Sequence, residues 1–299
     1  MDGILNIDKP EGMTSHDVVA RVRRILGTRR VGHTGTLDPF ATGVMVLLIG
    51  KATRLAQFLD KDEKEYEAVI GFGFETDTGD RTGQRNAEFG VRNAEFDPAA
   101  HDWESVFSRF RGEIMQTPPM YSAKKVEGKK LYELARKGIE IPRQEVPVFI
   151  RKLDILPNEF RIPHSALRIR VVCSAGTYIR TLAEDIGRAV GVGAHLTELR
   201  RTRAGRFRID QAVTLEQLEA VNRPGDKLIP IAEAVSHLPE IVLTAERAAR
   251  TRDGLSSRVD DRAYDDGAAV RMLDENRGII AIGVYNGDEK TVKPKIVLG

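Results

Sequence analysis

The chain of 299 residues is 30% charged and 41% hydrophobic, carries one cysteine and has a formal net charge of +2. That length and apolar share predict one large or two medium globular domains, and a single cysteine excludes both an internal disulfide framework and a cysteine-based zinc site. No basic segment followed by an apolar run opens the chain, and no stretch approaches the roughly 20 apolar residues of a membrane span, so a cytoplasmic protein in a reducing setting is expected.

Ser15 is placed to cap a helix whose apolar positions Val18, Val22, Ile25 and Leu26 follow a 3.6-residue period, with Gly27 to end it. Its other face is arginine. A glycine-rich segment follows, then an apolar run at residues 44–49 with the length of a buried strand, a helix over 52–59 and a strand over 66–74. Trp103, Val106, Phe107 and Phe110 mark a short amphipathic helix. At 167–173, Leu167, Ile169, Val171 and Cys173 alternate with Arg168 and Arg170, as in a half-buried strand. Thr177 is placed to cap the next helix, with Ile179, Leu182, Ala183 and Ile186 on one side and Gly191 at its end. Strands interleaved with helices predict a mixed α and β class.

Two interruptions bear on organisation. Arg85-Asn86-Ala87-Glu88-Phe89 recurs as Arg92-Asn93-Ala94-Glu95-Phe96, a tandem duplication among polar residues that reads as an insertion in an exposed loop. Turn-forming residues near Pro224-Gly225 and Pro239 precede short β-rich pieces at 269–273 and 279–285, which predicts a first domain over residues 1–237 and a small all-β module over 238–299.

Global charge is uninformative, but cations cluster: Arg21, Arg23, Arg24, Arg29 and Arg30; Lys124, Lys125, Lys129 and Lys130; and Arg200, Arg201, Arg203, Arg206 and Arg208. Each run alone reads equally well as a solvated face. Together they predict a surface for phosphates.

The most unusual stretch is Gly32-His33-Thr34-Gly35-Thr36-Leu37-Asp38-Pro39, followed by Ala41, Thr42 and Gly43. Two glycines permit tight turns, and the proline biases Asp38 away from helix. A plain Asp-Pro turn explains the spacing as well as a catalytic carboxylate does. With Asp8-Lys9-Pro10-Glu11-Gly12-Met13-Thr14-Ser15 before it, and Tyr121-Ser122-Ala123-Lys124-Lys125 and Gly176-Thr177-Tyr178-Ile179-Arg180-Thr181 after it, the segment resembles the TruB family of tRNA pseudouridine synthases.

The resemblance implies a mixed α/β (α+β) catalytic fold around a bent, largely antiparallel sheet, with a small C-terminal PUA-like β-barrel domain. It implies conversion of uridine 55 in the tRNA T-loop to pseudouridine with neither metal nor organic cofactor. Asp38 matches the family's catalytic aspartate, Arg180 its buried arginine partner and Tyr66 its active-site tyrosine, whose ring stacks on the uracil and whose hydroxyl takes part in proton transfer from C5. His33 matches a histidine that occupies the space of the flipped base or buttresses the loop, and Tyr178 and Leu199 match apolar lining positions. The expected partner is tRNA, met by a monomer without a membrane or an obligate protein partner. A guide-RNA-directed catalytic subunit and a noncatalytic RNA-binding or tRNA-folding protein remain as alternatives. The compact chain without basic tails favours a standalone enzyme over the first, and intact Asp38, Tyr66 and Arg180 argue against the second.

Overall fold

The computed structural model describes residues 1–60, 62–85, 96–122, 124–126, 128–135, 137–157, 165–259 and 264–298. The strands are β1 (Gly3–Lys9), β2 (Val31–Thr34), β3 (Thr42–Ile49), β4 (Lys64–Phe72), β5 (Gly112–Gln116), β6 (Lys125–Val126), β7 (Lys129–Lys130), β8 (Val146–Ile155), β9 (Ala166–Cys173), β10 (Ala194–Ala204) and β11 (Phe207–Arg208), then β12 (Glu240–Val242), β13 (Ser257–Arg258), β14 (Ala269–Leu273), β15 (Ile279–Asn286) and β16 (Thr291–Val297). One sheet runs β1-β3-β10-β4-β9-β8-β5, with β2 added to β3 and β11 to β10. Its pairs are antiparallel except β3 with β10, where Thr42 meets Arg200 and Gly43 meets Arg201. The C-terminal strands form a separate five-stranded sheet, β12-β14-β15-β16-β13.

The apolar run at 44–49 is continuous because β3 is covered on both faces. Met45 and Leu47 join Leu5 and Ile7 of β1 against Val18 and Val22 of the helix Ser15–Ile25. Val44, Val46 and Leu48 face the other way and share a cluster with Ile282, Ile296 and Leu298 of the C-terminal sheet. The remaining half of the large sheet packs Tyr66, Ala68 and Ile70 of β4 and Ile169 and Val171 of β9 against Leu182 and Ile186 of the helix Ile179–Ala189. No helix among the described residues is long and apolar enough to cross a membrane.

Both expected caps shift by one residue. Thr14 caps the first helix in a reciprocal box with Asp17. Ser15 is buried instead, and its Oγ accepts from Leu37 N at 3.0 Å, tying the helix to the loop that carries Asp38. At the second helix the cap is Tyr178, while Thr177 Oγ1 donates to Ser174 O. The expected 52–59 helix is a 3₁₀ turn over Gly50–Leu55 continued by an α-turn over Ala56–Leu59.

Residues 86–95, most of the duplication, lie outside the described residues. Both flanks are described: Arg85 lies over the Phe74 ring at 4.1 Å, and Phe96 packs on Phe72 at 4.6 Å between ring centroids. Deleting residues 86–92 rejoins Arg85 to Asn93 and keeps both anchors, so thermal melting is expected to register a change of no more than about 0.5 kcal/mol. A loss above about 2 kcal/mol would show that the extra copy packs against the fold.

Candidate active site

Asp38 stands on the loop that joins β2 to β3, and three buried side chains from separate elements hold that loop by its backbone. Ser15 Oγ bridges the N–H and C=O of Leu37. Lys9, fully buried on β1, donates from Nζ to the carbonyls of Pro10, Pro39 and Ala41 at 2.7–3.1 Å. Arg201, 1% exposed on β10, donates to Gly35 O at 3.0 Å and Val44 O at 2.7 Å. Gly43 admits this close approach, since a Cβ there would lie 2.2 Å from the Arg201 carbonyl oxygen. Each clamp binds main-chain atoms, so the Asp38 carboxylate is left to another partner.

That partner is Arg180. Its Nε lies 2.9 Å from Asp38 Oδ2 and its Nη2 3.2 Å from Oδ1, a two-point pairing of guanidinium and carboxylate. Nη1 donates to Thr78 O and Nη2 also to Tyr121 O, each at 2.7 Å, so Arg180 is fastened from both sides. The Arg180 side chain is 6% exposed and that of Asp38 31%, which leaves the carboxylate at the mouth of the site with its counter-ion beneath it. Loss of hydration pushes the Asp38 carboxyl above the ordinary range; Arg180 pulls it down, and nearby buried Asp80 pushes it up.

Tyr66, 8% exposed, shares a cluster with Leu37, Phe40, Ile179 and Leu199. The Asp38 charge reaches the Tyr66 phenol, whose pKa is raised chiefly by burial. Tyr178 is half-buried at the head of its helix, where Gln116 grips its backbone N–H and C=O at 3.0 and 3.2 Å. His33 is on β2, its ring edge-on to His16 at 6.0 Å, and its buried Nδ1 has no hydrogen-bond partner. Burial, with the His16 and Arg201 charges, holds its pKa below the usual value, which keeps the ring neutral near pH 7. The structure thus brings Asp38 to Arg180 and places Tyr66 within reach of the Asp38 charge, with Leu199 in the Tyr66 cluster, Tyr178 two residues before Arg180 and His33 on the strand leading into the loop. A carboxylate paired at two points with a guanidinium beside aromatic and aliphatic side chains can act as a nucleophile, and such side chains can retain a planar uncharged fragment.

Within the arginine run at 200–208 several side chains are engaged by the protein itself, while Arg208 is 62% exposed beside Asp210. Arg200 pairs with Asp8 at 2.7 Å, Arg203 with Glu63 at 2.6 Å, and Arg206 with the Glu233 carbonyl, while Arg201 is in the core. Arg21 is likewise engaged by Glu216 and Glu219. The side chains of Lys125, Lys129 and Lys130 lie outside the described residues. Sequence reasoning missed the roles of Lys9, Gln116 and Arg201; for Arg201 the available signal was its two-residue offset from apolar Leu199, which places both on one face of a strand.

Glu184 adds a measurable electrostatic burden behind the site. Burial, with Glu75 and Asp185 nearby, raises its pKa to about 7 despite Arg188 and Arg180. The folded state therefore binds this proton more tightly than the unfolded chain. The stabilisation is full below the ordinary value of 4.5 and is lost as pH rises through about 7. Glu184→Gln, which resembles the protonated acid, should raise thermal stability at about pH 8 by at most about 3 kcal/mol and change little at about pH 4.5. Melting curves at the two pH values check the sign.

Residues 23–179 match the family described as TruB family pseudouridylate synthase (N terminal domain), and residues 180–248 match the tRNA pseudouridylate synthase B C-terminal domain. Proteins called tRNA pseudouridine synthase B are similar over most of their length: that of Solibacter usitatus is 44% identical over 95% of both chains. That of Symbiobacterium thermophilum is 48% identical over 87% of this chain and 84% of its own. Among solved structures, a Cbf5-Nop10-Gar1 complex contains a chain superposing with TM-score 0.74 at 29% identity, covering 99% of this chain and 84% of that one. A chain of an H/ACA RNP bound to a substrate RNA containing 2′-deoxyuridine gives 0.73 at 27% identity, over 99% and 85%. Sequence and architecture agree, and the chain belongs to the TruB family of tRNA pseudouridine synthases.

Proposed function

We propose that the protein, acting alone and as a monomer, converts uridine 55 in the T-loop of tRNA to pseudouridine, with Asp38 as the nucleophile. The observation that carries this reading is the two-point Asp38–Arg180 pair on a backbone-locked loop beside the Tyr66–Leu199 wall. A folded loop supplies a base whose stacking is already interrupted, which lowers the few kcal/mol cost of extruding it. In the reaction the N1–C1′ bond breaks, the uracil turns, a C5–C1′ bond forms, and the proton leaving C5 is balanced by one gained at N1. Nothing is oxidised or reduced. Asp38 forms a covalent adduct with the nucleoside and is expelled as a carboxylate when the adduct resolves to the C5-linked product, and Arg180 keeps it ionised against burial. Tyr66 stacks on the uracil and offers its hydroxyl to the departing C5 proton; Leu199 and Tyr178 confine the detached base; His33 fills the space that the base vacates.

Residues 1–237 act in this reading as the catalytic domain, with 238–299 as a PUA-like RNA-binding domain. The cluster joining Ile282, Ile296 and Leu298 to β3 makes the two energetically interdependent. Incubating the purified protein alone with unmodified tRNA transcript, then mapping pseudouridine, tests the whole reading. One pseudouridine at position 55 is expected, and none in a transcript carrying cytidine there. Turnover that appears only when a guide RNA or partner protein is added would overturn it.

A further inference from the structure

The most unusual buried charge outside the Asp38–Arg180 pair is Arg201. Among the described residues it is the largest side chain that is fully buried, yet its hydrogen bonds run to the carbonyls of Gly35 and Val44 rather than to a carboxylate. A guanidinium so enclosed is costly to keep unless its position is used. Gly35 precedes Asp38 and Val44 follows it, so one planar fork grips the loop on both sides of the carboxylate. On the neighbouring strand Tyr66 is in direct register with Arg201, and the guanidinium opposes the upward push of burial on the Tyr66 phenol. The same fork packs so tightly on the loop that a Cβ at Gly35 would come within 3.2 Å of Arg201 Nη1.

We propose that Arg201 is a positioning residue that sets the Asp38 loop and the Tyr66 hydroxyl in one geometry, coupling formation of the covalent adduct to removal of the C5 proton. The proposal rests on the reading of Tyr66 as the group that meets that proton. Lysine preserves the charge but cannot present the planar, several-pronged donor set that spans Gly35, Val44 and Tyr66. Charge alone is therefore insufficient at this position.

The test compares wild type, Arg201→Lys, Arg201→Gln, Gly35→Ala and Tyr66→Phe in single-turnover reactions on tRNA containing uridine or 5-deuterouridine, alongside melting curves and tRNA binding. Wild type making no pseudouridine would refute the proposed function itself, independently of Arg201. With wild type active, Arg201→Lys is expected to bind tRNA within a few-fold of wild type, to react roughly 100-fold more slowly, and to show a larger C5 deuterium isotope effect. Combining it with Tyr66→Phe should cost less than the product of the two single losses. Gly35→Ala, which crowds the guanidinium without removing it and also strains the loop backbone at its φ of 68°, should enlarge the isotope effect even if both Arg201 variants fail to fold. The proposal is overturned if Arg201→Lys reacts at the wild-type rate, if the foldable variants lose rate and tRNA binding together without a change in isotope effect, or if Gly35→Ala leaves the isotope effect unchanged.

Discussion

Asp38→Asn is expected to lower the rate of pseudouridine formation by roughly 10⁴-fold or more while leaving tRNA affinity within a few-fold of wild type. The amide is close to the carboxylate in shape but supplies no anionic nucleophile. The surroundings should tolerate it. Leu37, Pro39 and Ala41 are held through their main-chain atoms by Ser15 and Lys9, not through the Asp38 side chain. Arg180 keeps two carbonyl acceptors, Thr78 O and Tyr121 O, after its carboxylate is gone. Single-turnover kinetics with the purified variant and filter binding of tRNA separate the two effects. Turnover at even a tenth of the wild-type rate would remove Asp38 from the nucleophile's place.

Arg180→Met should be nearly as damaging for a different reason, and its residual activity should depend on pH in a particular direction. Arg180 is the cation that pulls the Asp38 pKa down against burial and the nearby Asp80 charge. Without it the carboxyl retains its proton to higher pH. The acid limb of the rate profile should therefore move upward, and a rate reduced by about 10³-fold near pH 7 should recover partly toward pH 9. Truncating one member of a buried pair typically costs about 3–5 kcal/mol, and the 31% exposure of the Asp38 side chain places this case toward the lower end. Methionine also abandons the carbonyls of Thr78 and Tyr121, so some loss of thermal stability is expected together with the shifted profile. A variant with wild-type rates and an unshifted acid limb would show that Asp38 is held ionised by another group.

How much of this was legible in the sequence depends on how locally each feature is encoded. The loop around Asp38 is contiguous, so its glycines, its proline and the apolar strand after it are visible together. The Arg180 pairing bridges 142 positions of chain, and in the sequence only the resemblance links the two motifs. Helix and strand placement from periodicity succeeded where one face is buried, as in the helix Ser15–Ile25 and in β9. It failed for β10, whose run of arginines resembles a solvated surface. That strand crosses the centre of the sheet, with Glu63 and Asp8 neutralising two of its arginines and loop carbonyls absorbing a third. A tally of cations cannot distinguish an arginine aimed at phosphate from one folded onto its own backbone. The misplaced cap has a similar cause: Thr14 and Ser15 are both good capping residues, and only the buried partner Leu37 decides which is used for something else.

The short turn after β3 receives both ends of the chain. Asp2 Oδ1 accepts from Lys51 N, while Lys51 Nζ donates to Leu298 O and Arg54 Nη1 to Val297 O, and Ile296 and Leu298 bury their side chains in the cluster that includes Val46 and Leu48. During synthesis the catalytic motifs emerge from the ribosome long before these last strands do. Leu55, Leu59, Phe207 and Val235 of the same cluster are made earlier, but the part of the β3 cover that Ile282, Ile296 and Leu298 supply must wait until those residues have been translated. Each aliphatic side chain left in water forgoes about 1.5–3 kcal/mol, so a chain cut short before β15 would carry Asp38, Tyr66 and Arg180 on a fold that lacks part of its β3 cover. Such a product is expected to melt at a lower temperature than the full chain, because β15 and β16 supply part of the packing on the strand that follows the Asp38 loop.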